Sequence, residues 1–106
     1  MLAQLTQPVS TVVDAQHPHS DNQVKALFHV VGDADPSLLP RIVEPVAKLG
    51  HVPSRVHASA EDGDGTVMTI DMRVTNVTQT SAERIERGLR AIVGVHQVIA
   101  VYEPRF

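Results

Sequence analysis

The chain has 106 residues and a formal charge of −3, with no cysteine, no tryptophan, two phenylalanines and one tyrosine. That length holds one domain, and the missing cysteines exclude disulfide staples and thiolate metal sites. The acidic balance argues against a nucleic-acid partner, which selects a basic face, and no apolar run approaches the roughly 18 residues of a membrane span.

Residues 1–22 are rich in Gln, Ser, Thr, Pro and His, and His17 to Asn22 is turn-prone without periodicity. They read as a polar N-terminal tail, in which only Val9 to Val13 could pair, as a strand added to a sheet edge. Met1-Leu2-Ala3-Gln4 has no basic region before an apolar core, so no secretory leader is expected, and a cytoplasmic location is.

From residue 23 onward the pattern is that of a folded domain, 23–106. Val24, Ala26, Phe28 and Val30 alternate with Lys25, Leu27, His29 and Val31, a period-2 strand with one wholly apolar face. Gly32 to Pro36 break it. Leu38, Leu39, Ile42, Val46 and Leu49 then recur at helical spacing and end at Gly50, a natural residue just beyond a helix C-terminus. With Ser37 as N-cap, Pro40 falls in the tolerant first turn, but Pro45 falls in the interior. A kinked or irregular first helix is therefore expected.

Ser54 to Ala60 alternates again, with Val56, Ala58 and Ala60 on one side and Arg55, His57 and Ser59 on the other. Glu61-Asp62-Gly63-Asp64-Gly65 reads as a hairpin loop. Thr66 to Val77 is the longest strand, with Met68, Ile70, Met72 and Val74 facing one way and Val67, Thr69, Asp71, Arg73 and Thr75 the other. Thr80-Ser81-Ala82-Glu83 has the form of a capping box opening a second helix, whose stripe is Ile85, Leu89, Ile92 and Val93. Glu83–Arg87 and Glu86–Arg90 are i,i+4 pairs on its wet side. Gly94 ends it, and Val95 to Tyr102 form the last strand.

The order strand, helix, strand, strand, helix, strand, with right-handed crossovers, gives an α+β ferredoxin-like βαββαβ sandwich: a four-stranded antiparallel sheet with both helices on one face. The other face, with Lys25, Leu27, His29, Val31, Arg55, His57 and Asp71 among its residues, is neither a clean core nor a plain solvent face. An edge strand is also free for a second copy, so a homodimer is expected.

Candidate chemistry is sparse. His29, His57 and Asp71 share the open face, but nothing in their spacing enforces a metal site. Asp62 and Asp64 flank Gly63 without the twelve-residue calcium pattern. Ser37, His51 and Asp35 make a Ser-His-Asp set on paper, with no nucleophile elbow to support it. Asn76-Val77-Thr78 matches a glycosylation sequon, which means little without a leader. Relatives of this architecture that stack RNA bases need aromatics on the open face of the central strands, and here only Phe28 is available, on the side expected to face the helices. Metallochaperones need paired cysteines, which are absent, and acylphosphatases need a Gly-rich anion loop with Arg, where Gly32-Asp33-Ala34-Asp35 is acidic. No cofactor, metal or catalytic residue is expected.

Gly32-Asp33-Ala34-Asp35-Pro36-Ser37-Leu38-Leu39-Pro40-Arg41-Ile42, followed by Val43 to Gly50, resembles the signature of ACT domains. In those domains an acidic or Asn-bearing loop leads into Pro-Gly-x-Leu-x-Arg-Ile. Met68-Thr69-Ile70 and Leu89 to Val95 look like the short regulatory small subunit of acetohydroxyacid synthase. The resemblance implies a non-catalytic regulatory domain partnered by a large catalytic synthase subunit; the alternative is a free-standing dimer that senses an amino acid. It also implies a small amino-acid ligand between Asp33, Ala34, Asp35, Pro36, Ser37 and Leu38 of one chain and His51, Val52 and Pro53 of its neighbour. Ser37 stands where the family has glycine, Ala34 (or, with a displacement, Asp33 or Asp35) where the loop usually has asparagine, and Val52 or His51 where the second strand has asparagine.

Overall fold

A computed structural model describes residues 22–60 and 64–104; the possible strand Val9 to Val13 and the loop residues Asp62 and Gly63 lie outside them. The elements are β1 (Gln23–Asp33), α1 (Leu38–Lys48), β2 (Arg55–Ser59), β3 (Val67–Thr78), α2 (Gln79–Arg90) and β4 (Val95–Pro104). The sheet order is β2-β3-β1-β4, and every neighbouring pair is antiparallel. This is the βαββαβ arrangement that the periodicities predict. Neither helix is long and apolar enough to cross a membrane.

The strand alternation sets the core. Val24, Ala26, Phe28 and Val30 of β1 are buried together with Ile70, Met72 and Val74 of β3, under Leu38, Ile42 and Val46 of α1 and Ala82, Ile85 and Leu89 of α2. Lys25, Leu27, His29 and Val31 take the opposite face and are only half-buried. Phe28 meets Tyr102 of β4 edge-on, with ring centroids 6.3 Å apart, an arrangement worth about 0.5–1.5 kcal/mol beyond area burial.

β3 departs from strict alternation near its end. Val24 pairs with Val77 while Ala26 pairs with Val74, so β3 carries one extra residue. Asn76, at φ 57°, sits in this bulge, a left-handed position that asparagine tolerates better than most residues. The bulge returns Val77 to the core, where it is fully buried. Thr78 then ends the sheet and caps α2, its hydroxyl accepting from Ser81 N at 3.1 Å. The cap is therefore Thr78 rather than the expected Thr80, because strand passes into helix with no loop between. The sequon residues are respectively a bulge, a core residue and a cap. Glu83 accepts from Gln79 Nε2 at 3.0 Å, whereas Glu86–Arg90 pair as expected at 2.6 Å.

α1 runs through Pro45 to Lys48 without interruption, contrary to the expected irregularity. Proline there removes the hydrogen bond to the Arg41 carbonyl, and packing offsets the loss. Leu38, Ile42 and Val46 have no exposed surface. Pro45 also faces Gly88 of α2, where an added Cβ would lie 3.4 Å from the proline Cβ, so the missing side chain at 88 lets the helices close. The C-terminus is a Schellman turn: His51 N donates to Val46 O at 3.1 Å and Gly50 N to Ala47 O at 2.9 Å, with Gly50 at φ 81°.

β2 differs from expectation in burial. Val56 and Ala58 pair with Met72 and Ile70 and so face the helix side, yet both are exposed. The two helices lie over the central strands, and β2 packs chiefly on β3. Its outer edge and both its faces are left open.

Candidate functional site

The β1–α1 loop follows from two constraints. Gly32 ends the apolar run where β1 passes so close to the α2–β4 turn that a Cβ would lie 2.7 Å from Gly94 O. Pro36 then bars a helical Asp35. The chain turns once and enters α1 at Leu38.

Every N–H in this loop already has an acceptor. Asp33 N donates to Gly94 O (2.8 Å), Ala34 N to Thr66 O (3.0 Å), Asp35 N to Asp33 O (2.8 Å) and Leu38 N to Asp35 O (2.9 Å). Ser37 N and Ser37 Oγ both donate to Asp35 Oδ1, at 2.9 and 3.1 Å. Ser37 is thus the N-cap residue, but its side chain makes no capping bond; it is turned back onto the Asp35 carboxylate instead. The Ser37 backbone bond, then its hydroxyl bond, hold the Asp35 carboxyl below its ordinary range, with Arg41 adding to the effect.

Arg41 closes the loop from α1. Its Nε and Nη2 donate to Ser37 O and Ser37 Oγ at 3.2 and 3.1 Å, and its Nη1 reaches Val93 O at 2.8 Å. It also lies 3.8 Å from Asp35 Oδ2. Asp33 is engaged separately, with His96 Nε2 at 2.7 Å from its Oδ1. Both loop aspartates therefore have cationic or titratable partners within the chain.

Ala34, Asp35 and Pro36 border an open depression of about 320 Å³, completed by Leu39, Ala60 and Met68. The sequence alone did not mark these last three. Their signal is topological: Ala60 and Met68 flank the β2–β3 hairpin, which the sheet places beside the loop. His51, Val52 and Pro53 are elsewhere. They precede β2 at the far end of α1, whose eleven residues span roughly 16 Å, and Val52 stands 85% exposed. One chain therefore brings the loop residues together but not the two halves of the expected site.

The Ser-His-Asp set is not assembled either, since Ser37 bonds to Asp35 at one end of α1 and His51 lies at the other. His29 Nδ1 lies 2.7 Å from Asp71 Oδ1, and His57 is opposite Asp71 in register. Among the described residues no three metal-ligating side chains converge.

The family model described as an ACT-like domain matches residues 19–103. The chain belongs to the ACT-like domain family. The solved ACT domain of GTP pyrophosphokinase from Chlorobium tepidum superposes on this ACT-like domain with a TM-score of 0.62 at 16% identity, covering 74% of this chain and 99% of that one. The C-terminal domain of the MgtC protein from Mycobacterium tuberculosis does so with a TM-score of 0.60 at 15% identity, covering 82% and 95%. At such identities the likeness is one of fold. No curated protein matches the sequence.

Proposed function

We propose that this ACT-like domain is a cytoplasmic, non-catalytic regulatory module that acts as a homodimer on an enzyme of amino-acid metabolism, its partner being the catalytic subunit of an acetohydroxyacid synthase. The observation that carries the reading is the open edge of β2. An unpaired strand edge recruits another strand unless it is blocked, and two β2 strands related by a two-fold axis pair antiparallel. Such pairing sets the start of one β2 beside the end of the other. His51, Val52 and Pro53 of a second copy then approach Ala60 and the loop depression, assembling the two halves that one chain keeps apart.

The resemblance of Met68-Thr69-Ile70 and Leu89 to Val95 to the short regulatory small subunit supports the synthase partner. The filled hydrogen bonds of the loop support activation without amino-acid feedback, because a ligand carboxylate would have to displace Asp35. Co-purification with a synthase catalytic subunit, and a rise in its activity on mixing, are the expected results; unchanged activity rejects the partner.

The loop depression itself favours a second reading, a free-standing dimer that senses a small amino acid. Titration of the isolated protein with the twenty amino acids while following its Tm separates the two. Stabilisation without a partner supports the sensor.

A further inference from the structure

On the sheet face turned away from the helices, side chains stand in aligned rows across all four strands. One row runs His57, Asp71, His29 and Ile99; the next runs Arg55, Arg73, Leu27 and Val101. In the second row two guanidiniums occupy directly opposed residues of neighbouring strands, which is unfavourable unless a counter-charge joins them.

The described residues supply none. Asp71 is engaged with His29 at 2.7 Å and Glu103 with Lys25 at 3.1 Å. The Nε of Arg73 is buried without an acceptor, and a buried unsatisfied donor is destabilising in its own right. Both arginines border a cavity of about 220 Å³ with Leu27, Ile99 and Val101 along it. Ile99 and Val101 are each 48% exposed, so apolar surface lies open beside two unanswered cations.

We infer that this face binds a small organic monocarboxylate with a short apolar body. The carboxylate accepts from the forks of Arg55 and Arg73, geometry for which guanidinium is suited and ammonium is not. It supplies the counter-charge that the described residues do not give the arginine pair. The body rests on Leu27, Ile99 and Val101. Asp71, which also borders the cavity, opposes a second negative charge and so favours a monoanion over a phosphate dianion. None of the β1–α1 loop residues takes part, so this site stands or falls independently of the reading above.

Hexanoate is a suitable probe of the full chain, followed by backbone and methyl NMR. Saturable shifts are expected at Leu27, Ile99 and Val101, with hexanol, hexylamine and inorganic phosphate inert. Arg73→Gln and Arg55→Gln should each weaken hexanoate binding about tenfold or more. Their unliganded Tm should equal or exceed that of the parent, because the like-charge contact is relieved; that gain separates loss of a site from loss of fold. Arg41→Gln, on α1 beside the loop, should leave hexanoate affinity unchanged. Absence of saturable shifts, undiminished affinity in Arg73→Gln, or phosphate competing as well as hexanoate would each overturn the inference. So would perturbation of these resonances by an acidic peptide alone.

Discussion

Replacing Gly32 with alanine tests whether the β1–α1 loop is held by close approach of backbone. The new Cβ would stand 2.7 Å from Gly94 O and 2.7 Å from Leu38 Cδ2, well inside van der Waals contact. Gly94 O is tied to Asp33 N at 2.8 Å, and Leu38 is fully buried, so neither neighbour can yield freely. Overpacking of this kind costs about 1–3 kcal/mol. Against it, alanine restricts the unfolded chain and returns about 0.4–1 kcal/mol. The net loss is about 1–2 kcal/mol, or a fall in Tm of roughly 5–15 °C for a domain of this size. Thermal unfolding by circular dichroism at fixed protein concentration measures it, and amide exchange at Asp33 should quicken with it. Gly50→Ala is the comparison: nothing lies within 4 Å of its added Cβ, and only the φ of 81° is strained, so about 1–2 kcal/mol should be lost with Asp33 exchange unaffected. A Gly32→Ala protein that melts at or above the parent would refute the packing argument.

Tyr102 donates its hydroxyl to Glu86. That bond, followed by Arg90, holds the Glu86 carboxyl below its ordinary 4.5, while burial and then the same bond push the phenol above 10.0. The Glu86 contribution is present above its unfolded value and lost as pH falls; the tyrosine contribution is present below about 10.0 and lost as pH rises. Tyr102→Phe should cost about 0.5–1.5 kcal/mol near neutrality and flatten both flanks of a Tm-against-pH curve. Arg41→Met should lower stability by about 1 kcal/mol and speed exchange of the Ser37 and Leu38 amides, read by NMR. Val56→Lys places a charge on the open β2 edge; sedimentation equilibrium should show a dimer in the parent and a monomer in the variant, with little change in monomer fold.

The architecture was legible because β1 and β3 as far as Val74 alternate and both helices carry a single apolar stripe, which leaves few ways to fold. What escaped is local competition between neighbours of similar chemistry. Thr78, Thr80 and Ser81 can all cap a helix, and only the sheet pairing of Thr78 with Gln23 selects the first. The bulge at Asn76 adds a residue that period-2 counting cannot see. Val56 and Ala58 read as core because alternation reports which face a residue takes, not whether a helix reaches that far. At the loop, the signature singles out Asp33 to Leu38, and the bonds to Asp33 and Asp35 are local, but the acceptors Gly94 O and Thr66 O come from segments far apart in sequence. Ile99 and Val101 went unassigned because their importance lies in standing beside Leu27 and Arg73.

The strand order also has a consequence for how the chain is made. β1 is synthesised first, yet it lies in the middle of the sheet and needs both β3 and β4 beside it; Val24 is partnered by Val77 on one side and Pro104 on the other. An amphipathic strand with Phe28 and Val30 on its apolar side must therefore wait for β3, and its other edge stays open until nearly the whole domain has left the ribosome. Distant pairing of this kind slows folding and lengthens exposure to aggregation. The β2–β3 hairpin and α2 are the units able to form early, and β4 is the piece whose arrival closes the sheet. A nascent chain stalled before Val95 should accordingly be held by chaperones, and one released past Pro104 should not.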